Sequence, residues 1–140
     1  MTIAIDTNTV IYNYLKNQTD LTDIVSTRIY RTQTTPKGMT LPALSFFSRG
    51  GSSSPIITEI HEPSVQFDCW GSTTVEARQV YRALYAVLQG IENIKVTINS
   101  TDYYILYAAQ EVEGQDLEEG DMTEGQRWFR CLTFFTFLIR

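Results

Sequence analysis

Three features of this sequence predict an α/β domain of the α+β kind, a mixed, mostly antiparallel sheet packed by one long helix and short N-terminal helices. A T-x-x-E box at Thr73–Glu76 opens a run of apolar residues at helical spacing, which stops at Gly90. Directly after it, Ile94, Val96 and Ile98 alternate with Lys95, Thr97 and Asn99, the two-residue period of a half-buried strand. The segment from Trp128 to Ile139 is apolar at both parities, as expected of a strand covered on both faces. With 140 residues and no internal repeat, the chain is expected to form one domain over residues 1–140.

The first third reads as short helices. Asp6 or Thr7 can cap a turn in which Val10, Ile11, Tyr14 and Leu15 share a face. Asp20 or Thr19 can cap a second, with Leu21, Ile24 and Val25 facing inward. Thr32 to Thr40, rich in Thr, Gln, Pro and Gly, is expected as loop. Leu41 to Ser48 is expected as a strand. Arg49-Gly-Gly-Ser-Ser-Ser-Pro55 is expected as a mobile connection, since small polar residues bury little apolar surface against the entropy of ordering.

Ile56 to Ile60 and Ser64 to Trp70 read as paired strands turning near His61-Glu62-Pro63, with Val65, Phe67 and Cys69 on one face. In the central helix, Ala77, Val80, Tyr81, Leu84, Val87 and Leu88 form the apolar face, and Glu76, Arg78, Gln79, Arg82 and Gln89 the polar one. Tyr103 to Ala109 and Trp128 to Ile139 are the remaining strands. The last one carries Trp128, Leu132, Phe134 and Leu138 on one face, and Phe129, Cys131, Phe135, Phe137 and Ile139 on the other. The helix can cover one face; the second needs more helix or another subunit.

Lys and Arg number 11 against 16 Asp and Glu, a net charge of −5 that argues against a protein that coats duplex DNA. The acidity is local. Seven acids (Glu111, Glu113, Asp116, Glu118, Glu119, Asp121, Glu124) lie between 111 and 124 with no Lys or Arg, while the rest of the chain holds 9 acids against 11 bases. Such a run is expected as a mobile, self-repelling loop facing water or a basic surface. No stretch resembles a signal peptide, and none approaches the roughly 20 apolar residues of a membrane span. Cys69 and Cys131 form no CxxC pair and are expected as packed, reduced thiols. These features point to a protein made and used in a cytoplasm, without a membrane.

No P-loop, nucleophile elbow, HExxH or dinucleotide fingerprint occurs, and a single histidine leaves little material for a His-based relay. No catalytic residue, metal site or cofactor is assigned, and the chain is not expected to be an enzyme. The best enzymatic grouping is Glu59, His61, Glu62 and Asp68 on neighbouring strands; its alternative is a solvated hairpin tip. Arg78 and Arg82, one helical turn apart, can meet phosphate or an acidic partner, or form a solvated helix face.

The order of elements resembles a family. A short helical start is followed by STRIYRTQTTPKGMTLPALSFFSRGG, then PSVQFDCWGSTTVEARQVYRALYAVLQG, then a strand, an acidic loop and a final strand. The chain thereby resembles the tail terminator (tail completion) proteins of long-tailed bacteriophages. Arg28-Ile29-Tyr30, Leu41-Pro42-Ala43-Leu44, Val65-Gln66-Phe67-Asp68-Cys69-Trp70 and the helix Thr73–Leu88 ending at Gly90 carry the likeness. The residues before Arg28 and the segment from Glu111 to Gly125 match least.

The resemblance implies a structural virion protein of the tail and neck, assembled in the host cytoplasm. It implies a homo-oligomer, a hexameric ring, that caps the tail tube protein, ends tube polymerisation and joins the tail to the head-completion or connector protein. DNA would pass through the lumen without specific binding. Subunit contacts are expected at Arg78 and Arg82, and at Arg49 and Ser53 of the Gly-Ser segment. The acids Glu111 to Glu124 are expected at the lumen or the tube-facing rim. The alternatives are a head-completion or connector subunit, or a metal-dependent hydrolase using Glu59, Asp68 and His61.

Overall fold

The computed structural model describes residues 5–32, 40–53, 56, 59–123 and 126–140. Helices α1 (Thr7–Leu15), α2 (Thr19–Val25) and α3 (Thr74–Leu88) pack on one face of a six-stranded sheet. The strands are β1 (Ile29–Tyr30), β2 (Ala43–Ser53), β3 (His61–Gly71), β4 (Glu92–Ile98), β5 (Thr101–Thr123) and β6 (Gln126–Ile139). Their order is β1-β2-β3-β6-β5-β4; β1 joins β2 in parallel and every other pair is antiparallel. This is the expected α+β fold with a mixed, mostly antiparallel sheet.

Local chemistry sets the helices. The Asp6 side chain accepts from the Thr9 backbone N–H and caps α1, whose Val10, Ile11, Tyr14 and Leu15 are buried. α2 begins without a side-chain cap, because Gln18 occupies the cap position rather than Asp20 or Thr19. In α3 the Thr73 hydroxyl accepts from Glu76 N–H, while the Glu76 carboxylate reaches back to Ser72 N–H, closing the box one residue early. Gly90 takes the left-handed conformation (φ 75°) just past the C-cap. Between the helices and the sheet lies one cluster in which Phe46, Phe67, Phe135 and Phe137 are fully buried, with Phe67 edge-on to Phe135 at 5.7 Å.

Besides β1, a two-residue strand that the sequence pattern does not predict, the strands depart from expectation at three places. Arg49–Ser53 is not a loose connection but the end of β2, pairing with β3 as Gly51↔Pro63, Ser52↔Glu62 and Ser53↔His61. The glycines enable this by carrying a register shift between Ser48 and Gly51. Gly51 sits at φ 128°, where a Cβ would stand 2.2 Å from the Glu62 carbonyl oxygen. Ser54 and Pro55, like residues 33–39 of the expected loop, lie outside the described residues.

Ile56, Glu59 and Ile60 lie in no strand, and His61-Glu62-Pro63, expected as a turn, is the start of β3. β3 is held on one side by β2 and on the other by β6, so its partners come from elsewhere in the chain. The third departure is the largest. The acidic segment is not a loop: residues 111–123 continue β5 and pair with β6 out to Thr123↔Gln126. Glu124 lies outside the described residues.

β6 has one fully covered face, with Cys131, Thr133, Phe135, Phe137 and Ile139 buried under the helices. On its other face Leu132, Phe134 and Leu138 are half-buried. Among the described residues, cover there comes from side chains rather than from a helix or a second layer: the Arg49 guanidinium lies 3.8 Å from the Phe134 ring centroid, and Trp70 meets Trp128 edge-on at 5.7 Å.

Candidate functional site

The acidic strand is the feature most in need of explanation, since like charges in one strand repel and a 23-residue strand is long. Helix α3 pins its first half. The Arg78 guanidinium donates to both oxygens of Asp116, at 2.8 and 3.2 Å, and to the Gly114 carbonyl at 3.2 Å. That bond to Asp116 holds the guanidinium charge more firmly than usual.

One turn on, the Tyr81 hydroxyl accepts from Gln110 Nε2 at 2.6 Å and from the Gly114 N–H at 3.2 Å. The same Gln110 amide reaches the buried Thr133 hydroxyl at 3.0 Å, which in turn donates to the Val112 carbonyl at 2.7 Å. Register shifts lie on both sides of Val112, so this bond from Thr133 ties β6 to β5 where the ladder is irregular. At the end of α3 the Gln89 side chain accepts from Gln110 N–H, and Gly90 N–H donates to the Ala108 carbonyl. α3 thus seals the outer edge of β5 from 108 to 116, where β4 has already ended.

On the opposite face of the sheet, Arg49 donates to Glu111 at 2.6 Å and to Ser64 Oγ at 2.8 Å, and Thr136 also bonds Glu111. Burial pushes the Glu111 carboxyl up, but the bonds from Thr136, Ser64 and Arg49 outweigh it and hold the group below the ordinary carboxylate range. The expectation of an acidic run without compensating bases is therefore corrected: Glu111 and Asp116 are paired, by bases 62 and 38 residues away in sequence. Glu113 is exposed, beside a shallow depression of about 300 Å³ that Tyr81, Arg82, Tyr85 and Gln110 also line. Glu118 is exposed and pairs through its backbone with Phe129; Glu119 and Asp121 are placed by backbone alone.

The residues singled out for subunit contact are not gathered into one patch. Arg82 is exposed on α3, whereas Arg78 on the same helix face is engaged with the acidic strand. Arg49 lies on the sheet's opposite face against Glu111 and Phe134, and Ser53 pairs with His61 through the backbone.

The fold is shared with a chain of a virion. That chain belongs to a solved structure described as the virion of a native gene transfer agent (GTA) particle. The alignment covers 94% of this chain and 92% of that one, at 12% sequence identity and a TM-score of 0.63. No protein-family model matches the sequence, and no curated protein does.

The candidate hydrolytic group does not assemble. His61 and Asp68 lie seven residues apart on β3, roughly 23 Å at ~3.3 Å per residue, and on opposite faces. Asp68 is buried and accepts from Arg130 at 3.2 Å, and Arg130 also lies 5.5 Å from the Trp70 ring. Among the described residues, no three His, Cys, Asp or Glu side chains stand close enough to share a metal ion. The thiols lie inside the core: burial pushes Cys69 well up and Cys131 up to about 11. Among the described residues no helix is long and apolar enough to cross a membrane.

Sequence reasoning missed Tyr81, Gln110, Gly114 and Thr133 as the clamp on the acidic strand. Gly114 was the available signal. A glycine inside a strand marks a close approach, and a Cβ there would lie 2.8 Å from Cys131 Sγ and 2.9 Å from the Tyr81 ring.

Proposed function

We propose that the chain is a structural, non-enzymatic virion protein: a ring subunit of a phage tail, capping the tail tube and joining it to the head-side connector. The observation that carries this reading is the fold shared, over nearly the whole of both chains, with a chain of the gene transfer agent virion. The resemblance of the sequence to tail terminators narrows it to a hexamer in the neck, through which DNA passes. The physical form of the subunit supports assembly. One sheet face is left half-covered, and the β5–β6 hairpin runs past the rest of the sheet, a shape suited to completion by neighbours. An acidic hairpin at the lumen repels phosphate and keeps DNA moving; at the rim it meets basic residues of the tube.

The test is to mix the protein with its tail tube protein and image the product. Rings closing the ends of tubes support the reading. Rings binding only the head-side connector favour a head-completion subunit, and metal-dependent hydrolysis by a monomer favours an enzyme. Arg82→Glu is expected to weaken ring formation with the subunit still folded, whereas Arg78→Glu would break the pair with Asp116 inside the subunit and is no test of the interface. Normal assembly of the Arg82 variant removes that residue from the interface.

A further inference from the structure

Besides the β1 side, where β1 pairs only Leu44 and Ser45 of β2, the sheet leaves two edges without a strand partner among the described residues, and these two lie at opposite ends of the subunit. The first is β4. Its hairpin with β5 turns through Asn99 and Ser100, both left-handed (φ 49° and 66°), a two-residue turn that makes Ile98 and Thr101 exchange backbone bonds. By alternation, Ile94 and Val96 turn their N–H and C=O groups toward β5, while Lys95 and Thr97 turn theirs away from the sheet. These outward groups border a groove of about 310 Å³ between β4 and α1, walled on the helix side by Asn13, Asn17 and Gln18. Lys95 is the charged residue of its lining.

The second edge is the far end of β5. α3 seals its outer side only to Asp116, and β3 accompanies β6 only to Phe129. From Leu117 to Thr123 the strand is paired through β6 alone, carrying Glu118, Glu119 and Asp121.

We propose that the tip of β5 from one copy adds as a strand to the β4 edge of the next copy, lying in the groove beside α1. The inference rests on the ring reading and names its subunit contact. Each partner has a strand neighbour on one side only, and an acid-rich strand meets an edge whose groove carries a lysine. The two cannot meet within one copy. From the β4 end of the sheet to Glu118 the hairpin runs ten residue steps along β6, Ile139 to Phe129, on the order of 33 Å. A contact between different surfaces of like copies is heterologous, and when its rotation closes it makes a ring.

The test joins the two edges covalently in the full chain. Lys95→Cys combined with Glu118→Cys, under mild oxidation with the tail tube protein present, is expected to give a ladder of disulfide-linked multimers on denaturing gels. Neither single variant is expected to give one, since a disulfide needs Cα atoms within about 7 Å and the native Cys69 and Cys131 are buried. Lys95→Pro removes one outward N–H that β5 does not use and is expected to raise the concentration needed for rings about ten-fold, with unchanged circular dichroism. Rings of wild-type mass from the double cysteine variant without cross-links overturn this contact and leave the ring reading standing. Cross-linking to the tube protein instead of a second copy also overturns it. Absence of rings from the unmodified protein with its tube overturns both.

Discussion

Gly114→Ala isolates the clamp between α3 and the acidic strand. Gly114 is not in the left-handed region, so alanine is tolerated by the backbone and the whole effect is steric. The new Cβ would stand 2.8 Å from Cys131 Sγ and 2.9 and 3.0 Å from Cζ and Cε1 of Tyr81. Neither neighbour retreats freely. Cys131 is fully buried, and the Tyr81 hydroxyl is fixed by Gln110 and by Gly114 itself. Overpacking of this kind costs about 1–3 kcal/mol. Restricting the unfolded chain returns about 0.4–1 kcal/mol. The net is a loss of roughly 1–2 kcal/mol, or a Tm lower by about 4–8 °C for a chain of this size. Calorimetry gives the shift, and hydrogen exchange is expected to quicken across residues 110–116. Gly90→Ala is the control: it meets no atom within 4 Å but sits at φ 75°, so it destabilises through conformation and leaves exchange in the strand unchanged. A Gly114→Ala variant melting at or above the wild-type temperature would refute the close approach of Tyr81.

Three further outcomes follow from the ion pairs and thiols. Arg130→Leu leaves Asp68, whose side chain is 3% exposed, without its 3.2 Å arginine, and is expected to cost about 2–4 kcal/mol in urea unfolding; a loss under 0.5 kcal/mol would show that the pair does not hold the carboxylate. Because Glu111 titrates below the ordinary carboxylate range when folded, its contribution is complete above that range and disappears as pH falls through the folded value. Glu111→Gln is therefore expected to lower stability near pH 7 and to converge with wild type in acid, and parallel curves from neutral to about pH 3 would contradict this. Cys69 and Cys131 are expected to resist a thiol reagent at neutral pH and to react fully in denaturant, and rapid labelling of the native protein would refute their burial.

Elements governed by neighbouring residues were legible in the sequence. Thr73, Glu76 and Gly90 mark the ends of α3 because caps are made within a few residues of themselves. Val65, Phe67 and Cys69 show their face because the pleat repeats every two. Elements governed by distant partners were not. The acidic run reads as a loop because Arg49 and Arg78, which neutralise two of its carboxylates, lie 62 and 38 residues away. The Gly-Ser segment reads as a connection because its order comes from pairing with His61–Pro63, where Gly51 fits against the closely spaced backbone of β3. Asp68 reads as a candidate metal ligand until Arg130 appears against it from β6. For the candidate assembly surface, Arg82 was legible as an exposed helix residue, whereas Arg78 spends its charge within the subunit.

The central claim, a virion ring subunit rather than a soluble enzyme, is tested most directly by electron microscopy of the purified protein mixed with its tail tube protein. The account predicts six-fold rings seated on the ends of tubes of limited length. Tubes with bare ends beside a protein that stays monomeric would contradict it.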